Sequence, residues 1–201
     1  MNSFIRGKAL KNLKLTVIHV AASIAILIYL KAVSATRLTF PVALLPLLGA
    51  ASSFKSLWKV LRGSYAEDLV AQELKSIKGK VIRNFRFKHG DIDFIVISTK
   101  GIFPLEVKSV KGRVRLIGDV AYYGKYNLLR QVDEAEKFLI RAFPEYVDQI
   151  RGLLVVEGGW LEGRSDRVIR RHQLKRVLSG RTVLKEKDVD RVYEVLRRGS
   201  D

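Results

Sequence analysis

Two long apolar runs without a charged residue stand near the start of the sequence, at residues 15–30 and 38–54. Each is apolar on every helical face, which is not typical of a surface helix in a soluble domain. With 16 and 17 residues, they fall just short of the roughly 20 that span a bilayer, although flanking lysines can extend the effective span. We expect a transmembrane helical hairpin. A buried helical hairpin and a cleaved signal peptide are the alternatives.

Basic residues are more frequent outside the two runs than between them. Four precede the first run and three follow the second, whereas the link between the runs carries only Lys31 and Arg37. By the positive-inside rule, both termini and the domain that follows are expected on the cytoplasmic side of a membrane.

The pattern changes after residue 62 to that of a mixed α/β domain. Ser64 and Glu67 have capping-box spacing, which predicts the start of a helix there. The predicted strands are residues 81–87, 91–98, 102–110 and 152–157, with a hairpin over 113–123 that turns at 118–119. Further helices are predicted at about 128–143, 168–178 and 185–198. We therefore divide the chain into a membrane-anchoring segment, 1–62, and an α/β domain, 63–201.

The charge is strongly basic, with 37 Lys and Arg against 20 Asp and Glu and a net charge of +17. This charge predicts an anionic partner, either nucleic acid or an anionic membrane surface. The absence of cysteine excludes disulfides, a thiol nucleophile and a Cys-ligated zinc site. No P-loop, dinucleotide fingerprint, HExxH or GxSxG motif is present, so no nucleotide cofactor and no protease or serine-hydrolase chemistry is indicated.

One constellation of charged residues lies inside predicted apolar strands. Asp93 interrupts one strand, and Glu106 and Lys108 lie two residues apart in the next, so these two share a face. Burying such charges is costly unless they pair or bind a metal. Two carboxylates suit a hard divalent cation, and a nearby lysine can stabilise charge on a phosphate. The pattern is compatible with metal-assisted phosphodiester hydrolysis, but also with a solvated charge ladder on an exposed sheet face.

The turn between these strands decides whether the three residues meet. A two-residue turn at Lys100-Gly101 pairs Thr99 with Ile102 and sets Asp93 opposite Lys108. A turn longer by one residue would send Asp93 to the other face of the sheet.

Three stretches, SYAEDLVAQEL, GDIDFIVISTKGIFPLEVKSVKGRV and LLRQVDEAEKFL, resemble the NERD domain, the nuclease-related domain of the PD-(D/E)XK nuclease superfamily. The resemblance implies a restriction-endonuclease-like fold with an αβββαβ core. It also implies a catalytic set of Glu67, Asp93, Glu106, Lys108 and Gln131, in which Asp93 and Glu106 hold Mg²⁺ or Mn²⁺. Taken together with the predicted transmembrane hairpin, it implies a membrane-anchored, metal-dependent nuclease acting on DNA or RNA. The alternative is an inactive nuclease-fold module that binds nucleic acid, or a protein or lipid partner, at the membrane.

Basic residues near this constellation and in a later run are candidates for phosphate contacts. They are Lys111, Arg113, Arg115, Arg170, Arg171 and Lys175. The same side chains can equally be solvated, and the later run can equally attach to anionic lipid.

Overall fold

The computed structural model describes residues 3–32, 39–88 and 90–199. The chain divides into two compact units, Met1–Tyr65 and Ala66–Asp201. In chain order the elements are α1 (Ser3–Ala32), α2 (Thr39–Leu74), β1 (Lys80–Phe87), β2 (Gly90–Ser98), β3 (Gly101–Ser109), β4 (Arg113–Ile117), β5 (Val120–Tyr123), β6 (Tyr126–Asn127), α3 (Arg130–Ala142), β7 (Leu153–Glu157), β8 (Trp160–Glu162), β9 (Val168–Arg170), α4 (Leu174–Val177) and α5 (Glu186–Arg198). Two 3₁₀ segments, Pro144–Gln149 and Arg171–Gln173, complete the set.

The first unit consists of α1 and most of α2. The two helices approach closely at Gly49, where a Cβ atom would lie 2.7 Å from Cδ2 of His19. Among the described residues, no helix combines the length and apolar character that crossing a bilayer requires. The transmembrane hairpin predicted from residues 15–30 and 38–54 is therefore not supported. Both runs were already shorter than the roughly 20 residues of a typical span. The predicted link lies largely at positions 33–38, outside the described residues.

The predicted helix start at Ser64 is wrong, because α2 runs without interruption from Thr39 to Leu74. Ser64 and Glu67 are therefore interior residues of a long helix. The residues before them are good helix formers, and the single Gly63 costs only about 1 kcal/mol, too little to end a helix.

The second unit is built on a five-stranded sheet of order β1-β2-β3-β7-β9. The first three strands form an antiparallel meander, and β7 and β9 add in parallel. The element order α2-β1-β2-β3-α3-β7 is the αβββαβ arrangement that the sequence predicted. The mixed α/β class is thus confirmed, with strand limits within one residue of those expected for β1, β2, β3 and β7.

Helices cover both faces of this sheet. Ala66, Val70 and Leu74 of α2 pack with apolar residues of β2, β3 and β7 on one face. Helices α3 and α5 pack on the other face, where Leu139 and Val192 belong to the same cluster as the isoleucines of β2. The strands that carry the candidate site are therefore buried on both sides, which explains their nearly continuous apolar sequence.

A second sheet, of order β6-β5-β4-β8, is inserted between β3 and α3 and completed after β7. The predicted hairpin at 113–123 is confirmed as β4 and β5, which turn at Gly118 with φ of +54°. Strand β8 was not predicted, because three residues are too few to show an alternating pattern.

The helix predicted at 168–178 is wrong over its first half. Val168 and Ile169 form β9, which pairs in parallel with β7, and only Leu174–Val177 are α-helical. Both residues are buried against the main sheet, and their β-branched side chains suit a strand. The predicted helix at 185–198 is confirmed as α5.

Candidate active site

The β2–β3 hairpin aligns the candidate acids. It pairs Ser98 with Gly101, so the turn lies at Thr99-Lys100, one residue earlier than predicted. The Lys100 N–H donates to Oγ of Ser98 at 3.1 Å, which stabilises this earlier turn. The shift in register is two residues, so the face that each side chain occupies is unchanged. The paired part of this register ends at Phe94 and Leu105, one residue short of Asp93 and Glu106.

Asp93 lies where regular pairing of β2 stops on both sides. The ladder to β3 ends at Phe94 and Leu105, and the ladder to β1 has no pair between Asn84 and Asp93. Asn84 has φ of +54°, which is uncommon for a residue other than glycine. In place of a strand partner, the backbone N–H of Val107 donates to Oδ2 of Asp93 at 2.7 Å. The Asp93 carboxylate is thereby fixed against the strand that carries Glu106.

Glu106, Lys108 and Gln131 form a connected group on the α3 side of the sheet. The Glu106 side chain is only 3% exposed, and its Oε1 accepts from the Lys108 ammonium. The same ammonium donates to Oε1 of Gln131 at 2.9 Å, and Gln131 Nε2 donates to the Asp91 carbonyl at 3.4 Å. Lys108 therefore links β3 to the first turn of α3.

One oxygen of Glu106 has no partner. Its Oε2 is buried and accepts no hydrogen bond, which is costly for a carboxylate oxygen. Within the described residues, no group of three or more His, Asp or Glu side chains is arranged to hold a metal ion. The two carboxylates of Asp93 and Glu106 nevertheless fit a divalent cation, because they offer hard oxygen ligands and one of these oxygens is unsatisfied.

The acids of the site have raised pKa values. Burial, followed by the charge of Asp93, raises the pKa of Glu106 from 4.5 to about 8, against the lowering effect of Lys108. Burial also raises the pKa of Asp93, although its hydrogen bond from Val107 and the charge of Lys108 oppose the shift. For Glu67, burial and then the charge of Asp93 raise the pKa to about 7. The site therefore holds three acids whose charged forms are disfavoured by burial, and its single lysine does not offset this effect.

Glu67 lies on α2, half-buried and close enough to Asp93 for the two charges to interact. Its side chain makes no hydrogen bond or ion pair with any described residue. The structure thus joins Glu106, Lys108 and Gln131 through hydrogen bonds and holds Asp93 against the same strand through the Val107 N–H. Glu67 interacts with Asp93 only through charge.

The six residues predicted to contact phosphate differ in their exposure and in the contacts that their side chains already make within the fold. Lys111, Arg115 and Lys175 are exposed, and Arg113 is half-exposed beside Glu162. The other two side chains are engaged within the fold. The guanidinium of Arg170 donates to the carbonyls of Gly158 and Gly159, at 2.9 Å for the latter. Arg171 lies 3.6 Å from Glu73 and 3.5 Å from Glu157.

Sequence reasoning missed an ion-pair cluster centred on Arg167. Its guanidinium donates to Asp133 and Glu136 of α3, each at 2.7 Å. Glu136 also accepts from the Gly152 N–H at 3.1 Å. This cluster fixes the start of α3, and thus Gln131, against the sheet. The i,i+3 pair of acids is visible in the sequence, but nothing there identifies the arginine that joins them.

Comparison with known proteins supports the class that this geometry suggests. Residues 62–157 match the model of the NERD family, described as the nuclease-related domain. The match includes every residue of the connected group and Glu67. Residues 62–157 are therefore similar to a nuclease-related domain. No curated protein matches the chain.

Two solved structures show low similarity. One is described as a repair endonuclease from Pyrococcus abyssi, with 20% identity, a TM-score of 0.30, and coverage of 55% of this chain and 42% of that chain. The other is described as an EndoMS-dsDNA2 complex, with 17% identity, a TM-score of 0.32, and coverage of 60% of this chain and 46% of that chain. The aligned part thus spans less than half the length of either.

Proposed function

We propose that the second unit is a metal-dependent nuclease that hydrolyses phosphodiester bonds of nucleic acid. Asp93 and Glu106 would hold the cation, Mg²⁺ or Mn²⁺, in this proposal. When bound, such an ion polarises a phosphoryl oxygen and lowers the pKa of a bound water. Lys108 would stabilise the charge that develops on the phosphate, and Gln131 would hold the Lys108 ammonium in place.

The observation that carries the proposal is the burial of Glu106 together with its unpartnered oxygen Oε2. A buried carboxylate with an unpartnered oxygen and a pKa raised to about 8 is unfavourable for a purely structural residue. Strongly perturbed acids beside a charged partner are typical of functional sites. Glu67 would modulate this charge cluster, since its own pKa rises with the charge of Asp93.

The test is cleavage of labelled DNA and RNA by the full chain with Mg²⁺, with Mn²⁺ and with EDTA. Glu106→Gln keeps the shape of the side chain but removes its charge. Glu145→Gln makes the same change at a glutamate that pairs with Arg191, and serves as the control. The proposal requires that nucleic acid is cut with metal but not in EDTA. It also requires that cutting is lost in Glu106→Gln and retained in Glu145→Gln. Cutting that persists in EDTA or in Glu106→Gln would contradict it.

A second candidate is a module that keeps this fold but binds nucleic acid without cutting it. It is favoured by the absence of a three-acid metal cluster within the described residues and by the ion pair that Lys108 already makes with Glu106. Salt-sensitive binding without cutting, in Mg²⁺ and in Mn²⁺, would select this candidate.

For the first unit, the proposal is attachment to an anionic membrane, with the second unit on the cytoplasmic side. Residues 1–62 hold nine basic residues and no acid. Several apolar side chains of α1 are also exposed, among them Val17, Ile18 and Ile28 at 59%, 60% and 65%. Flotation of the full chain with vesicles that contain anionic lipid, but not with neutral ones, is the expected result. Absence from both vesicle fractions would contradict attachment.

A further inference from the structure

The second sheet has one covered face and one open face. Val114 and Ala121 are fully buried on the covered face, in a cluster that includes Leu129 and Val132 at the start of α3. The residues that alternate with them in β4, β5 and β8 must point the other way. No described element of the second unit contributes a buried cluster on that side.

The open face can be read from the strand register. Arg113 of β4 lies beside Trp160 of β8, and Arg115 lies between Tyr122 of β5 and Glu162 of β8. Paired residues on neighbouring strands point to the same side of a sheet. We call these five residues, Trp160, Arg113, Arg115, Tyr122 and Glu162, the open face.

Trp160 is the unusual member of this face. It is 57% exposed, although a large aromatic side chain gains more than most residues from burial. Tyr122 is half-buried two strands away, with the arginines of β4 between them. Aromatic and cationic side chains side by side on one face of a sheet are the composition that binds bases by stacking and phosphates by charge.

The charges on this face also favour an anion. Arg113 lies 3.4 Å from Glu162, whereas the Arg115 side chain makes no ion pair or hydrogen bond with any described residue. Lys111 is exposed two residues before β4. The net charge of the chain, +17, points to the same class of ligand.

We propose that the open face binds a single-stranded segment of nucleic acid, with Trp160 and Tyr122 stacking on bases and Arg113 and Arg115 contacting phosphates. Unpaired bases are needed, because the flat sides of bases in a duplex are covered by their neighbours. The proposal rests on the function proposed above and narrows its substrate to nucleic acid with a single-stranded part.

The open face is near enough to the candidate active site to act on the same strand. Arg113 is five residues after Lys108, so the two Cα atoms are at most ~18 Å apart even for a fully extended chain. Trp160 of β8 is joined to the segment between β3 and β4, because its N–H donates to the carbonyl of Gly112 at 3.2 Å. The open face therefore begins no more than ~18 Å from the Cα atom of Lys108.

The chain offers a direct optical test, because it contains only two tryptophans. Trp58 and Trp160 are matched in exposure, at 54% and 57%. In full-length Trp58→Phe, Trp160 is the sole reporter, and in Trp160→Phe the reporter is Trp58. Three probes are added in EDTA: an oligothymidylate of about 12 nucleotides, within the usual site size, an abasic strand of equal length, and a duplex.

The expected result is quenching of Trp160 fluorescence by oligothymidylate, with little quenching by the abasic strand or the duplex and none of Trp58. Trp160→Leu should weaken oligothymidylate binding by about 5- to 100-fold, whereas Trp58→Leu should not. Glu162→Gln should strengthen binding, since it removes the acid beside Arg113. Equal quenching by the abasic strand, or unchanged affinity in Trp160→Leu, would overturn the proposal.

Failure of this proposal can be distinguished from failure of the proposed function. Metal-dependent cutting that needs Glu106, with no response of Trp160 to any probe, would reject the open face and leave the nuclease in place. Base-dependent quenching of Trp160 without cutting in any metal would support the open face and reject the nuclease.

Discussion

Replacing Glu106 by glutamine should stabilise the protein at high pH while abolishing its activity. The substitution removes a buried negative charge and preserves the size of the side chain. Natural cores rarely gain stability when a buried hydrogen-bonded group is changed. A gain here would therefore show that Glu106 is kept in place for another reason.

The size and sign of the effect follow from the pKa of Glu106, which folding raises from 4.5 to about 8. Between these two values the folded state holds a proton that the unfolded state has lost, so stability falls as pH rises. The shift is about 3.5 units, and at about 1.4 kcal/mol per unit its upper limit is ~5 kcal/mol. The new amide leaves an N–H donor where Oε2 was, which costs ~1–3 kcal/mol. We expect a net gain of ~2–4 kcal/mol near pH 8 and no gain near pH 5.

The assay is urea unfolding in EDTA, followed by circular dichroism at several pH values between about 5 and 8. Glu67 and Asp93 are retained in both proteins, so the difference between wild type and Glu106→Gln isolates Glu106. Glu145→Gln controls for the loss of a charge at an ion pair that is more exposed. A difference in free energy of unfolding that stays constant with pH would contradict the raised pKa of Glu106. A loss of stability in Glu106→Gln near pH 8 would contradict it as well.

Four further substitutions test other contacts of the second unit. Lys108→Met should abolish cutting and raise the pKa of Glu106 further, because Lys108 lowers it. The stability of the variant should then continue to fall up to a higher pH than that of wild type, as urea unfolding would show. Arg167→Met should destabilise the fold by ~1–3 kcal/mol at neutral pH, because Asp133 and Glu136 lose a shared partner; an unchanged unfolding midpoint would contradict this role. Arg170→Gln should lower thermal stability, because it removes the contacts to Gly158 and Gly159. By contrast, Arg115→Gln should leave the melting temperature unchanged and weaken nucleic-acid binding, and the reverse pattern would exchange the two roles.

Much of the main sheet could be predicted from the sequence, because β2 and β3 carry unambiguous local signals. Their apolar runs are bounded by turn residues, and the two-residue spacing of Glu106 and Lys108 fixes their common face. The acids could be located for the same reason, since charges inside apolar strands are costly. The exact turn could not be predicted, because it depends on a hydrogen bond from Lys100 to the Ser98 side chain.

Two kinds of error arise because contacts between residues far apart in the sequence override the local pattern, and one arises because a helix continues through a local start signal. Val168 and Ile169 fit a helical pattern, but they pair in parallel with β7 and therefore form a strand. Ser64 and Glu67 fit a capping box, but an uninterrupted helix precedes them. Arg170 and Arg171 looked like free cations, and only the folded chain shows their carbonyl and carboxylate partners.

The claim on which the account depends is that Asp93 and Glu106 together hold a divalent cation. Calorimetric titration of Mn²⁺ into the full-length protein near pH 8 tests it without requiring a substrate. One binding event is expected in the wild type and in Glu145→Gln, and its loss in both Asp93→Asn and Glu106→Gln. Equal Mn²⁺ binding in all four proteins would contradict it.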